Sequence, residues 1–290
     1  MRRLRKILAA VDGSPASLHA LREAIRLAQW VKGGVTVITV APSYEGDLSL
    51  IGVKDIKAVL QGECEEILGE AMEIAEEHDI SLRIICEEGE IAEKIVVRSE
   101  MEEADLIVLG NAGPQRFVDL FKGGVLSGVN RYSRRDILVI PQSKALGWSR
   151  VLLAMDHPDA AVFTQRAVEI ARSSGAEMIT LVVAAGWFGA KGLPPGSKNS
   201  TAGSGRDILD RVRATAKRHG LEIEGMVAND SVARSVARVA QEHKIELILL
   251  ASRGDSWLQR MVGSDLAERV ARRSQCSVLV LKNTAPADYE

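Results

Sequence analysis

Cysteine is scarce in this chain. Its 290 residues hold three, Cys64, Cys86 and Cys276. They lie far apart, are odd in number and form no C-x-x-C, so reduced, buried thiols are expected rather than a disulfide framework. Histidine is thin as well: the five (19, 78, 157, 219 and 243) are scattered, and a metal site needs clustered ligands, so none is expected. No apolar run reaches the roughly 18 residues that cross a bilayer. The basic start Arg2-Arg3-Leu4-Arg5-Lys6 is followed only by Ile7 to Val11 before Asp12 and Gly13, which is too little for a secretory signal. Neither sign of charge dominates. The formal net charge of −2 leaves no global field to draw the chain to nucleic acid or anionic lipid. A cytoplasmic protein with no membrane and no nucleic-acid partner is the expectation. The signatures G-x4-G-K-[ST], H-E-x-x-H and G-x-S-x-G are missing too, so no catalytic residue is assigned and an enzyme is not expected.

What the sequence does contain is itself, twice. Residues 6–12 read KILAAVD and 150–156 read RVLLAMD, an offset of 144. Each is an apolar run closed by an aspartate, Asp12 and Asp156. Both are followed by a proline and then by apolar residues at helical spacing; in the first copy Leu18, Leu21, Ile25 and Ala28 share a face. Ser14 can cap that helix, and Pro15 fits its first turn. Matched apolar runs recur at 35–40 and 178–183, at 104–113 and 245–254, and at 136–141 and 276–281. Runs near 82–87 and 221–227 complete five strands per copy. Helical spacing falls at 15–31, 56–78, 90–103 and 124–134, then at 158–174, 206–219, 231–243 and 264–273. Continuous Val- and Ile-rich strands suit a sheet covered on both faces, and strand–helix alternation argues for a parallel, doubly wound α/β fold. The reading is two tandem Rossmann-like domains, 1–145 and 146–290, with a boundary near Ala145-Leu146-Gly147-Trp148. Residues 185–205 are rich in Gly, Ser and Pro, and read equally as a lid over a site or as a surface insertion.

In such sheets ligands bind where strand order reverses. If strands one and four are neighbours, Asp12 and the run Gly110-Asn111-Ala112-Gly113 flank that point. Gly110 and Gly113 remove side chains there, so backbone N–H groups can approach an anion. Gly123-Gly124 precedes a helix whose positive end suits phosphate. Each feature has a plainer reading as well: glycines after a strand form turns, and an aspartate there caps a helix. The spacing Gly110-x2-Gly113-x9-Gly123 is more specific.

That spacing, the strand-closing aspartates, V-D-G-S-P at 11–15 and the apolar last strand make the chain similar to the universal stress protein family, over nearly its whole length and twice. The resemblance implies five-stranded parallel sheets of order 3-2-1-4-5, paired through their last strands as a pseudo-dimer. It implies that Asp12 and Val40 frame an adenosine and that Gly110, Gly113, Gly123 and Gly124 hold the phosphates of ATP or another adenine nucleotide, with magnesium accompanying ATP. Gly124 stands where ATP-binding members carry Ser or Thr, a loss of roughly 0.5–1.5 kcal/mol. The second copy is further from the pattern. Ala251 replaces the first glycine, Gly254 and Gly263 are separated by eight residues, and Ser264 is followed by Asp265. Its equivalent positions, Asp156, Gly254, Gly263 and Ser264, are expected to bind ATP poorly. The functional expectation is a non-enzymatic stress-response module that senses nucleotide, with a homodimer of the whole chain. A scaffold with both sites degenerate is the alternative, and a slow nucleotidase stands below both. Arg131, Arg134, Arg135, Arg269, Arg272 and Arg273 lie near helix ends, where positive charge complements the dipole without any nucleic acid.

Overall fold

A computed structural model describes residues 4–41, 56–112, 124–155, 160–183, 205–228, 231–252 and 264–282. The first half runs β1 (Lys6–Ala10), α1 (Pro15–Val31), β2 (Gly34–Ala41), α2 (Ile56–Glu77), β3 (Leu82–Glu88), α3 (Ile91–Met101), β4 (Leu106–Asn111), α4 (Val125–Tyr132) and β5 (Asp136–Pro141). The second half repeats the pattern. It runs β6 (Arg150–Met155), α5 (Ala160–Ser174), β7 (Glu177–Val183), α6 (Gly205–Arg218), β8 (Glu224–Ala228), α7 (Val232–Glu242), β9 (Leu247–Ser252), α8 (Ser264–Arg273) and β10 (Ser277–Lys282). Every element expected from periodicity is present within a few residues. The segment 185–205 lies almost wholly outside the described residues.

The strand order is β3-β2-β1-β4-β5-β10-β9-β6-β7-β8. Each half therefore has the order 3-2-1-4-5 and is parallel throughout. The halves meet where β5 pairs antiparallel with β10, Val139 opposite Val278 and Ile137 opposite Val280. Both strands are buried along their whole length, as expected for a sheet covered on two faces. Alternate residues feed two cores. Ile7, Leu106, Leu138 and Leu279 pack under α1, α2, α5 and α6. Leu8, Ile107, Ile137 and Val280 pack under α3, α4, α7 and α8.

One end of the seam carries a buried polar cluster. Asp136 and Lys282 are 3% and 4% exposed. The Asp136 carboxylate accepts the Lys282 backbone N–H at 2.8 Å and both terminal nitrogens of Arg166 on α5. Arg166 also donates to the Lys282 carbonyl at 2.7 Å, while Lys282 Nζ donates to the backbone and side-chain oxygens of Asn130 on α4. The cluster thus ties helices from both halves and both faces to one strand pair. Between the halves, Leu146 N–H donates to Glu23 Oε2 at 3.0 Å, and the Trp30 and Trp148 rings sit 5.5 Å apart.

The cysteines differ from expectation. Cys64 on α2 and Cys86 on β3 form a disulfide across 22 residues of sequence, and Cys86 is exposed on its strand. The sequence distance concealed the fact that β3 runs beneath the helix that precedes it. Only Cys276 is a free, buried thiol, and burial pushes it up to about 11.

Two predictions follow from packing. A Cβ on Gly110 would lie 2.5 Å from the carbonyl oxygen of Ala16 and 2.7 Å from the amide nitrogen of Ser17. These are backbone atoms at the start of α1 and cannot step aside, so Gly110→Ala is expected to lower unfolding free energy by about 1–3 kcal/mol in a denaturant titration. Burial lowers Lys282 from 10.5 to about 8, against the pull of Asp136. Below that value both folded and unfolded chains hold the proton and the penalty is constant. Above it the unfolded chain binds more proton, so stability rises with pH until about 10.5. The gain approaches 3 kcal/mol at roughly 1.4 kcal/mol per pH unit, less whatever the two Asn130 oxygens recover. Urea titrations from pH 7.5 to 10.5 should show this rise in the native sequence and a flatter profile in Lys282→Met.

Candidate functional site

The carboxyl ends of β2, β1 and β4 form one rim, because these strands are adjacent and parallel. Asp12 stands at the end of β1, just past Val11, whose N–H donates to Ile38 O at 2.9 Å. Its carboxylate orders the turn into α1: Oδ1 accepts the Ser14 N–H at 3.1 Å and the Ser14 hydroxyl at 2.6 Å. Asp12 N–H donates to Ser17 Oγ, and Ser14 Oγ caps the helix by accepting Ser17 N–H, both at 3.2 Å. Partial desolvation raises the Asp12 pKa, but the hydrogen bonds from Ser14 and Ser17 together outweigh it and hold the group below its ordinary value. Asp12 is thus ionised at neutral pH and exposed at the rim. Val40, half-buried near the end of β2, lies on the same rim.

Gly110 lies there too, at the tip of β4, but its missing side chain already has a use, since it seats the start of α1. The next residue, Asn111, is buried, and its side chain donates to Ala271 O of the second half at 3.0 Å. Gly124 is the N-cap of α4 and has no side-chain cap. At that helix entrance the structure places a residue the sequence did not flag, Glu268 of α8. Its Oε1 is 3.2 Å from where a Gly124 Cβ would stand and accepts Arg272 Nε at 3.0 Å, and its Oε2 accepts the Ser127 hydroxyl. The signal that could have found it is the pairing of last strands, which packs α4 against α8.

The structure therefore brings Asp12, Val40 and Gly110 together, and places Gly124 at the start of a helix facing Glu268. Gly113, Gly123, Asp156, Gly254 and Gly263 lie outside the described residues. Ser264 opens α8. The rim at β1 and β2 offers an ordered carboxylate, able to accept from a hydroxyl or amine donor, on the same rim as the apolar Val40. The entrance of α4 has the positive end of a helix dipole, but the Glu268 carboxylate, paired with Arg272, already lies against it, so a phosphate there competes with an anion in place. Among the described residues no cluster of three or more His, Cys, Asp and Glu side chains is placed to hold a metal, and no helix is long and apolar enough to cross a membrane.

Comparison with known proteins agrees with the duplication. The Universal stress protein family matches residues 3–141 and again 147–282. A universal stress protein of Methanocaldococcus jannaschii is 30% identical over 147 residues, 48% of this chain and 84% of that one. Another from Bacillus subtilis is 29% identical over 85 residues, 29% of this chain and 57% of that one. Among solved structures, a universal stress protein from Archaeoglobus fulgidus shares the fold over 97% of both chains, with a TM-score of 0.74 and 21% identity. With the family's pattern present in both halves and the two sheets joined through their last strands, this chain belongs to the universal stress protein family, in tandem form.

Proposed function

We propose that this tandem universal stress protein is a non-enzymatic, cytoplasmic stress-response module that binds an adenine nucleotide in its first half, chiefly by the nucleoside end. The supporting observation is the Asp12 carboxylate, ionised, exposed and pre-ordered by Ser14 and Ser17 beside Val40. Pre-ordering matters because a ligand that meets a fixed group does not spend binding energy on ordering it. The phosphate end is held weakly, since Gly124 offers no hydroxyl and Glu268 lies at the α4 entrance. Magnesium accompanies ATP in this reading. The second half, with its altered glycine pattern, contributes Glu268 rather than a second nucleotide site. In this reading the whole chain forms a homodimer through a surface other than β5 and β10, because both strands are consumed internally.

Calorimetric titration tests this directly. AMP and ATP are expected to bind with similar affinity, and Asp12→Ala to weaken both by about tenfold, the worth of one hydrogen bond to a charged group. Failure of AMP, ADP and ATP alike to bind would leave the assembly-scaffold reading in place. The phosphate end has its own test. Glu268→Gln removes the carboxylate charge and its ion pair with Arg272 but keeps an acceptor for Ser127, and it is expected to tighten ATP about fivefold or more while leaving AMP unchanged.

A further inference from the structure

We infer that the Cys64–Cys86 disulfide is a reversible reaction site for a dithiol reductant, and that its state sets the order of the turn that presents Asp12. Neither cysteine belongs to the nucleotide rim, and the argument rests on where the bond lies.

The bond joins an inner position to an outer one. Cys64, on α2, is 3% exposed. Cys86 is exposed on β3, which pairs only with β2 and is an edge of the ten-stranded sheet. In the β2–β3 register Cys86 stands opposite Thr39, and its neighbour Glu87 stands opposite Val40 of the rim. The disulfide therefore fastens α2 to the sheet one residue away from the candidate site. On α2, Ile67 follows Cys64 by three residues and so lies on the same face one turn on. Its Cγ1 is 3.1 Å from where a Gly13 Cβ would stand. Gly13 has a φ of +72° and sits between Asp12 and the Ser14 that orders it. A continuous contact thus runs from the sulfur bridge through α2 and Ile67 to the Asp12 turn.

The chemistry balances with one reductant. A thiolate of the dithiol attacks Cys86 Sγ, the sulfur of the exposed partner. The Sγ–Sγ bond breaks, and Cys64 leaves as a thiolate that takes a proton. The second thiol of the reductant then attacks the mixed disulfide, releasing Cys86 and closing the reductant's own disulfide. Two electrons and two protons pass to the protein. Glu63, Glu65 and Glu66 flank Cys64 in sequence, and Glu87 and Glu88 follow Cys86. Glu87 is paired with Arg98 and Lys94, whereas Glu63, Glu66 and Glu88 are exposed and disfavour approach by an anionic thiol relative to an uncharged one. In a reducing compartment such a bond is transient rather than permanent. After reduction Cys64 remains a small buried apolar side chain, so α2 stays helical but loses its fixed register on β3.

Hydrogen exchange on the full-length native protein, with no nucleotide present, tests this apart from the nucleotide reading. Dithiothreitol at neutral pH is expected to release two thiols without denaturant, while Cys276 stays unreactive until the chain unfolds. Exchange at residues 11–17 should then quicken about fivefold or more, and Tm should fall by about 5 °C or more. The variant carrying both Cys64→Ser and Cys86→Ser should reproduce the reduced pattern and ignore the reductant. In oxidised protein, Ile67→Ala should quicken the same turn with the disulfide intact. Thiols released only after unfolding would overturn the reaction site. Faster exchange confined to 64–88, with 11–17 unchanged, would overturn the coupling.

Discussion

The antiparallel pairing of β5 with β10 is the contact on which the rest of the architecture depends. Each half alone would expose its last strand as an open edge lined with apolar residues, a template for aggregation. Pairing the two removes both edges and leaves β3 and β8 as the ends of one sheet. It also aligns the helical layers, so that α4 of the first half lies against α8 of the second. The placement of Glu268 at the α4 entrance follows from that alignment. A carboxylate from one half reaches the other half's candidate site because the two sheets are joined through their last strands.

Duplication did not leave the seam symmetric. Asp136 opens β5 opposite Leu106, and Ser277 stands at the equivalent place in β10, opposite Leu247. Lys282 closes β10, and its counterpart at the end of β5 is Pro141. One end of the seam is therefore a buried charge cluster of Asp136, Arg166 and Lys282, and the other end has Cys276, a neutral thiol held protonated by burial. Buried ion pairs add little net stability against well-packed apolar residues, but breaking one by removing a single partner is costly. The apolar strip of Ile137, Leu138, Val139, Val278, Leu279 and Val280 supplies most of the attraction between halves. The charged end works against slippage, because a shift of register would leave Asp136 or Lys282 buried without its partner.

Much of this was legible in the residues. Continuous apolar runs and 3.6-residue spacing located the strands and helices of the described residues, because burial on both faces leaves little freedom in composition. The duplicated order and the resemblance anticipated the strand sequence and the pairing of last strands. The site was legible only in part. Asp12 and Val40 share a rim because β1 and β2 are neighbours, which the alternation implies. Gly110 was expected to open an approach for an anion, yet its nearest neighbours are backbone atoms of α1. Glu268, Ser127 and the Cys64–Cys86 bond are products of tertiary contact between segments 141 and 22 residues apart, and no local spacing encodes them.

The two ends of the candidate site are prepared for opposite charges. At the β1 tip the protein has fixed an anion, using two serines and the start of α1, and that anion suits hydroxyl or amine donors. At the α4 entrance a helix dipole would ordinarily welcome a phosphate, but the second half has supplied a carboxylate of its own, paired with Arg272. A ligand's phosphate must displace that carboxylate or stand clear of it, whereas a nucleoside meets no such competition.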